Sequence, residues 1–191
     1  MNDFITWTVY VLLFVLLISG IRIVRPTHRA LIETLGKYSK FGNTGFNYII
    51  PFVQRLIKIN VTEQMSHIEP QELITQDKLN LRGDLVVYYK IKKDEESVKN
   101  SVYEVDNVEE QLDVLARTST RNVIGDTAFK DVNSKRGLLN EKLKKILIGE
   151  TKSWGVEVLK VELKELTPPR DVQETMNKVI KASNEKEAAI D

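Results

Sequence analysis

Cysteine is absent from the 191 residues, which excludes a disulfide framework, a thiolate metal site and a cysteine nucleophile. Histidine is almost absent as well. His28 and His67 stand far apart with no matching carboxylate spacing, a poor basis for a metal site. Neither sign of charge is in excess, with 28 Lys and Arg against 27 Asp and Glu. A dedicated nucleic-acid binder usually shows a strong basic excess, so a net charge of +1 argues against that class. No glycine-rich phosphate-binding signature occurs, and Gly36, Gly42 and Gly45 read as turn residues. No internal repeat is present, and nothing in the chain implies a cofactor.

What the chain does have is a long apolar opening, MNDFITWTVYVLLFVLLISGIRIVR. From Phe4 to Ile21 there are 18 residues without a formal charge or a proline. As a helix they rise about 27 Å, and including Ile23 and Val24 brings the length to about 31 Å, near the thickness of a hydrocarbon core. Twelve of the positions are Leu, Ile, Val or Phe, contributing roughly −4 to −7 kcal/mol to insertion. The residues Phe4, Trp7, Tyr10, Leu12, Leu13, Phe14, Leu16, Leu17 and Ile18 are therefore read as a membrane anchor. Trp7 and Tyr10 lie near its start, where an aromatic belt is expected. A secretory signal peptide would carry Lys or Arg ahead of the run and a small-residue cleavage site behind it. Here Asn2 and Asp3 precede the run and Arg22 and Arg25 follow. By the positive-inside rule, the N-terminus is expected outside and residues 22–191 in the cytoplasm. Arg22, Arg25 and Arg29 are expected to meet anionic lipid headgroups.

Beyond the opening, strands come before helices, the order of an α+β fold. RLIKINVTEQ alternates, with Ile57, Ile59 and Val61 on one face. KLNLRGDLVVYYKIK does the same through Leu81, Leu85, Val87, Tyr89 and Ile91. Asp94 is placed to cap a short helix, Asp106 to start the next, and Gly125 to stop it. A third helix is expected from about Asn133 to Ser153, with Gly155 just past its end. GVEVLKVELKEL is a further strand, and Pro168-Pro169 punctuates the chain before a last helix. That helix carries a thin apolar stripe of Val172, Met176, Val179 and Ile180, so it wants a partner and is read as an oligomer contact. In GNTGFNYIIPFVQ, the residues Phe46, Tyr48, Ile49, Ile50 and Phe52 form either core or a membrane contact. Beside an anchor the second is expected.

The search for catalytic chemistry yields little. Ser66 precedes His67, and Asp77 follows, but adjacent residues of an extended segment point to opposite sides and no nucleophile elbow surrounds Ser66.

The segments RALIETLGKYSKF, GFNYIIPFVQRLIKINV, QELITQDKLNLRGDLVVYYKI, ARTSTRNVIGD and WGVEVLKVELKELTPPRDVQETM follow one another over residues 22–182. Together they resemble the stomatin/prohibitin/flotillin (SPFH, band-seven) family, and most closely its prokaryotic stomatin-like branch. The resemblance implies an anchor over 1–24 and two small α+β subdomains, one mostly of strands over 25–91 and one of helices plus a strand over 92–167. The start of a helical or coiled-coil segment would follow over 168–191. It also implies a scaffold, not an enzyme. Such proteins oligomerise on membrane lipids, organise microdomains, and position membrane proteins or restrain membrane proteases. In cage-forming relatives an apolar loop of the first subdomain touches the bilayer, which maps here onto Phe46–Phe52. The alternative expectations are a dedicated regulatory subunit of a membrane protease, a hydrolase built on Ser66 and His67, or an exported binding domain released by cleavage near Gly20.

Overall fold

In a computed structural model, residues 2–168 and 173–174 are described. The chain forms α1 (Asn2–Ser19), β1 (Ile21–Val24), β2 (His28–Thr34), β3 (Lys37–Gly42), β4 (Gly45–Tyr48) and β5 (Gln54–Asn60). Then come β6 (Gln64–Ile74), β7 (Asn80–Ile91), α2 (Glu95–Tyr103), α3 (Val108–Gly125), α4 (Phe129–Ser134), α5 (Arg136–Glu150) and β8 (Val156–Thr167). The content is α+β, as the sequence pattern suggested. The stripe Val172, Met176, Val179 and Ile180 lies outside the described residues.

Two compact units share the chain, and each is discontinuous. The first takes residues 1–63, 90–106 and 153–157; the second takes 64–89, 107–152 and 158–191. A contiguous boundary at 91/92 does not describe this division. The last residues of β7 and the first residues of β8 belong to the first unit.

The first unit holds a three-stranded sheet in the order β3-β2-β5 and a two-stranded sheet of β1 and β4. All its pairings are antiparallel. Leu31, Ile59, Val61, Ile91 and Val98 form its core, with Tyr38, Phe41, Ile57 and Val102 packed against them. Ile59 and Val61 are on the face the alternation assigned to the interior. Asp94 caps α2 as expected, accepting from Ser97 N at 2.9 Å. Donation from that amide and from the Ser97 side chain holds the Asp94 carboxyl below its ordinary range. Two tyrosines fasten α2 to the sheet. Tyr38 Oη donates to the Glu95 carboxylate, and Tyr103 Oη donates to Glu33 at 2.9 Å. Burial, then the neighbouring carboxylate, pushes each phenol up to about 12.

The second unit is built on a sheet in the order β6-β7-β8, with α3 against β6 and α5 against α3. Central strand β7 contributes Leu81, Leu85, Val86, Val87 and Tyr89 to the core. From α3 come Leu112, Ala116, Val123 and Ile124, and from α5 Leu139, Leu143 and Leu147. The second helix starts at Val108, one turn-residue after its cap Asn107, which accepts from Glu110 N. The single helix expected over Asn133–Ser153 is instead α4 followed by α5, broken at Lys135.

The largest departure from expectation is at the N-terminus. Helix α1 stops at Ser19, and Ile21, Ile23 and Val24 leave it to pair with β4. Gly20 makes that exit possible. A Cβ there would stand 2.4 Å from the Ile49 carbonyl oxygen, while Ile49 N donates to Gly20 O at 2.9 Å. The apolar part of the helix, Phe4–Ile18, therefore rises about 22 Å, against about 30 Å for a hydrocarbon core. Among the described residues no helix is long and apolar enough to cross a membrane.

Candidate functional site

The first unit carries a succession of exposed apolar residues, and it starts on α1. The named anchor residues Phe4, Trp7, Tyr10, Leu12, Leu13, Phe14, Leu16, Leu17 and Ile18 are all exposed. They project on every side of the helix, so no face of it is reserved for packing on the unit.

The surface continues on the β1–β4 ladder. Side chains alternate across a pleated pair, and Ile21 stands opposite Tyr48 while Ile23 stands opposite Phe46. These four residues share one face and all are exposed, Phe46 at 70% and Ile23 at 67%. The opposite face carries Arg22 and Asn47, then Val24, which is buried. Asn47 closes the turn before β4, donating to Asn43 O at 2.8 Å.

Past β4 the chain makes a tight turn. Val53 N and Gln54 N both donate to Ile50 O, and the Gln54 side chain accepts from Ile50 N at 2.9 Å. Phe52 sits at the apex, 97% exposed and at a φ of +67°. A bulky residue in the left-handed region is strained. The β2–β3 turn repeats the arrangement, with Leu35 80% exposed at a φ of +51°. Leu35 N donates to Val53 O at 3.0 Å, so the two turns are tied together. Two large apolar side chains are thus held exposed on strained backbone, on turns joined by a backbone hydrogen bond.

Among the five loop residues read as membrane contacts, Phe46, Tyr48, Ile50 and Phe52 are exposed. Ile49 is not: at 5% exposure it points inward, and its amide is bonded to Gly20. The alternation of β4 continues through this residue, which falls on the side of Asn47. Ile21, Ile23, Leu35 and Val53 are exposed here too; the first two were read as the end of the anchor helix, and Leu35 and Val53 escaped the sequence reading. Ile21 and Ile23 were legible as alternating partners once a strand, not a helix, followed Gly20. Leu35 had a weaker signal, an apolar residue directly before a turn glycine.

The three arginines separate. Arg22 Nη1 donates to Ser19 O and Ile21 O at 2.9 and 3.0 Å, closing the C-terminus of α1, where a cation also complements the helix dipole. Arg29 is part-buried and donates to His28 O. Arg25 is exposed. Arg22 also lines an open groove of about 500 Å³ with Ile49, Gln54, Arg55, Leu56 and Lys58.

The Ser66, His67 and Asp77 arrangement is not brought together within the second unit. Ser66 is buried and its hydroxyl donates to the Asp113 carboxylate, while His67 faces solvent on the other side of β6. Asp77 accepts from Thr75 Oγ1 and from Phe129 N, and the Thr75 hydroxyl is the main cause holding its carboxyl below the ordinary range. It serves a turn and the start of α4. Tyr89, pushed up to about 12 by burial and then by Glu109 and Asp113, belongs to the same core.

Residues 22–191 match the SPFH domain / Band 7 family. The chain belongs to that family, on its stomatin-like branch. A stomatin homolog of Pyrococcus abyssi is 31% identical over 99% of this chain and 69% of its own length. A protein of Methanocaldococcus jannaschii is 37% identical over 92% of this chain and 86% of its own. A protein of Methanothermobacter thermautotrophicus is 34% identical over 95% of this chain, which spans just over half, 56%, of that relative's length. The SPFH match begins at Arg22, so α1 precedes it while the β1–β4 ladder, apart from Ile21, and both apolar turns fall inside it.

Proposed function

We propose that this SPFH chain is a membrane-associated scaffold of the stomatin type, seated on the bilayer through the apolar surface of its first unit. The observation that carries this reading is the exposure of large apolar residues from α1 through Ile21, Ile23, Phe46 and Tyr48, which share one face of the β1–β4 ladder, to Ile50, Phe52 and Leu35. Exposed apolar area of this kind is costly in water and marks an interaction site. Strained left-handed residues at its far end are what a surface retained for contact, and not for stability, would show. On this reading α1 anchors the chain without spanning, or spans a locally thinned bilayer. The flanking arginines keep the SPFH domain on the cytoplasmic side. Self-association would run through the segment after Pro169 expected from sequence to be helical, with Val172, Met176, Val179 and Ile180, and the assembled scaffold would organise lipid and protein neighbours, including membrane proteases.

The absence of cysteine makes the test clean. Single cysteines placed at Phe46, Phe52 or Leu35 and labelled with an environment-sensitive fluorophore should shift to the blue on phosphatidylcholine vesicles. A label at Glu96, at the N-terminal end of α2, should not. No shift at Phe52 and Phe46, with α1 bound to the vesicle, would overturn the docking of the ladder and turns.

A further inference from the structure

We infer that α1 selects bilayers whose hydrocarbon core is thinner than ordinary, about 22 Å instead of about 30 Å, because it enters lipid whole and its length is fixed at both ends. The inference rests on the membrane reading above and deepens it by naming the kind of bilayer.

The helix is built to be surrounded by lipid. Large apolar residues from Phe4 to Ile18 are exposed on every side of it. A helix lying in the interface keeps a polar face toward water, and a helix paired with one partner keeps a single apolar stripe; α1 has neither. Its hydroxyls turn back on their own backbone. Thr8 Oγ1 donates to Phe4 O at 2.8 Å and Ser19 Oγ to Leu16 O at 2.9 Å, so neither hydrogen needs water. The C-terminal end is sealed as well. A helix end leaves carbonyls without intrahelical donors, and hydrocarbon supplies none. Here Leu17 O accepts from Gly20 N, Gly20 O from Ile49 N, and Ser19 O and Ile21 O from Arg22 Nη1.

The length cannot be made up from the residues that follow. β1 and β4 form a two-stranded sheet, whose outer edges carry unpaired backbone groups that hydrocarbon does not tolerate, so the ladder stays at the interface. The Arg22 guanidinium, tied to Ser19 O and Ile21 O, holds its charge at the same level. At the other end Asn2 and Asp3 precede Phe4 in the sequence, and a carboxylate is costly in hydrocarbon. Lipid therefore has Phe4–Ile18 to cover, a rise of about 22 Å. The shortfall against an ordinary core is about 8 Å, and every ångström of mismatch carries a cost.

The test places the full chain, by detergent dilution, into paired mixtures of fluid vesicles of dimyristoleoyl, dioleoyl or dierucoyl phosphatidylcholine, in order of increasing thickness. One population of each pair is loaded with sucrose, so that the two separate by density. Dimyristoleoyl vesicles should be preferred to dierucoyl ones by roughly tenfold or more, with dioleoyl between. Four leucines inserted after Leu13 lengthen α1 by about 6 Å, and a helix apolar all round has no face to misalign. That variant should prefer dioleoyl vesicles. Equal partition of the wild-type chain among the three lipids would overturn the inference and leave the membrane reading standing, with α1 covered by protein such as a second copy. A lengthened chain that still prefers the thinnest bilayer would overturn it too, since the loose packing of thin bilayers, and not helix length, would then set the order. Recovery of the wild-type chain in none of the vesicles would refute the membrane reading itself, and this inference with it.

Discussion

Replacing Gly155 by Ala should unfold the first unit more easily, even though the change adds only one methyl group. Gly155 has a φ of +71°, and an added Cβ would stand 2.1 Å from the Ser97 carbonyl oxygen and 2.6 Å from Ser97 C and Cα. The left-handed conformation costs an L-residue about 1–2 kcal/mol. The clash is with backbone, which cannot swing aside as a side-chain tip would, and overpacking of this kind costs about 1–3 kcal/mol. Stiffening of the unfolded chain returns about 0.4–1 kcal/mol. The net loss of about 1–4.6 kcal/mol corresponds to a fall in Tm of about 2–18 °C for a chain of this size. Gly149→Ala in α5 is the matched control: nothing lies within 4 Å of its added Cβ. Ala is the better helix former, so that variant should be about 0.5 kcal/mol more stable. The local reporter is the Lys92 amide, which donates to Gly155 O at 3.1 Å and should lose hydrogen-exchange protection in the Gly155 variant. Equal or higher Tm in Gly155→Ala, with Lys92 still protected, would refute the packing described between Gly155 and Ser97.

Phe52→Gly should separate stability from docking. Relief of the left-handed strain should raise thermal stability, because the 97%-exposed ring gives up no core contact, while vesicle binding should weaken. Asp94→Ala should cost about 1 kcal/mol at neutral pH through the lost α2 cap. Because folding lowers the Asp94 pKa, the stabilisation is full above the unfolded value and is lost as pH falls through the folded one. The gap between wild type and variant in urea melts should therefore close at acid pH, and a gap independent of pH would count against a charged cap. Ser66→Ala should lower stability by about 1–3 kcal/mol, by leaving the Asp113 carboxylate without its hydroxyl donor. Calorimetry checks this, and a variant as stable as wild type would show that the bond contributes nothing.

Much of the fold could be read from periodicity. The alternation in RLIKINV placed Ile59 and Val61 inside, and both are buried in the first core. Leu139, Leu143 and Leu147 recur at the helical period and are the buried residues of α5. Asp94 announced the start of α2 by a mechanism that acts within three residues. The break between α4 and α5 was invisible, because Lys135 is a good helix former and nothing local stops the helix there.

The sequence by itself determined the family, the strand-then-helix order, the apolar opening and the basic residues behind it, since each is a property of composition or short-range spacing. Only the tertiary structure decided where that opening stops being helix. A run of apolar β-branched residues suits a helix in lipid or a strand, and the choice fell to pairing with β4, more than twenty residues downstream. The same non-local pairing turned Ile49 inward while leaving Ile50 and Phe52 outward.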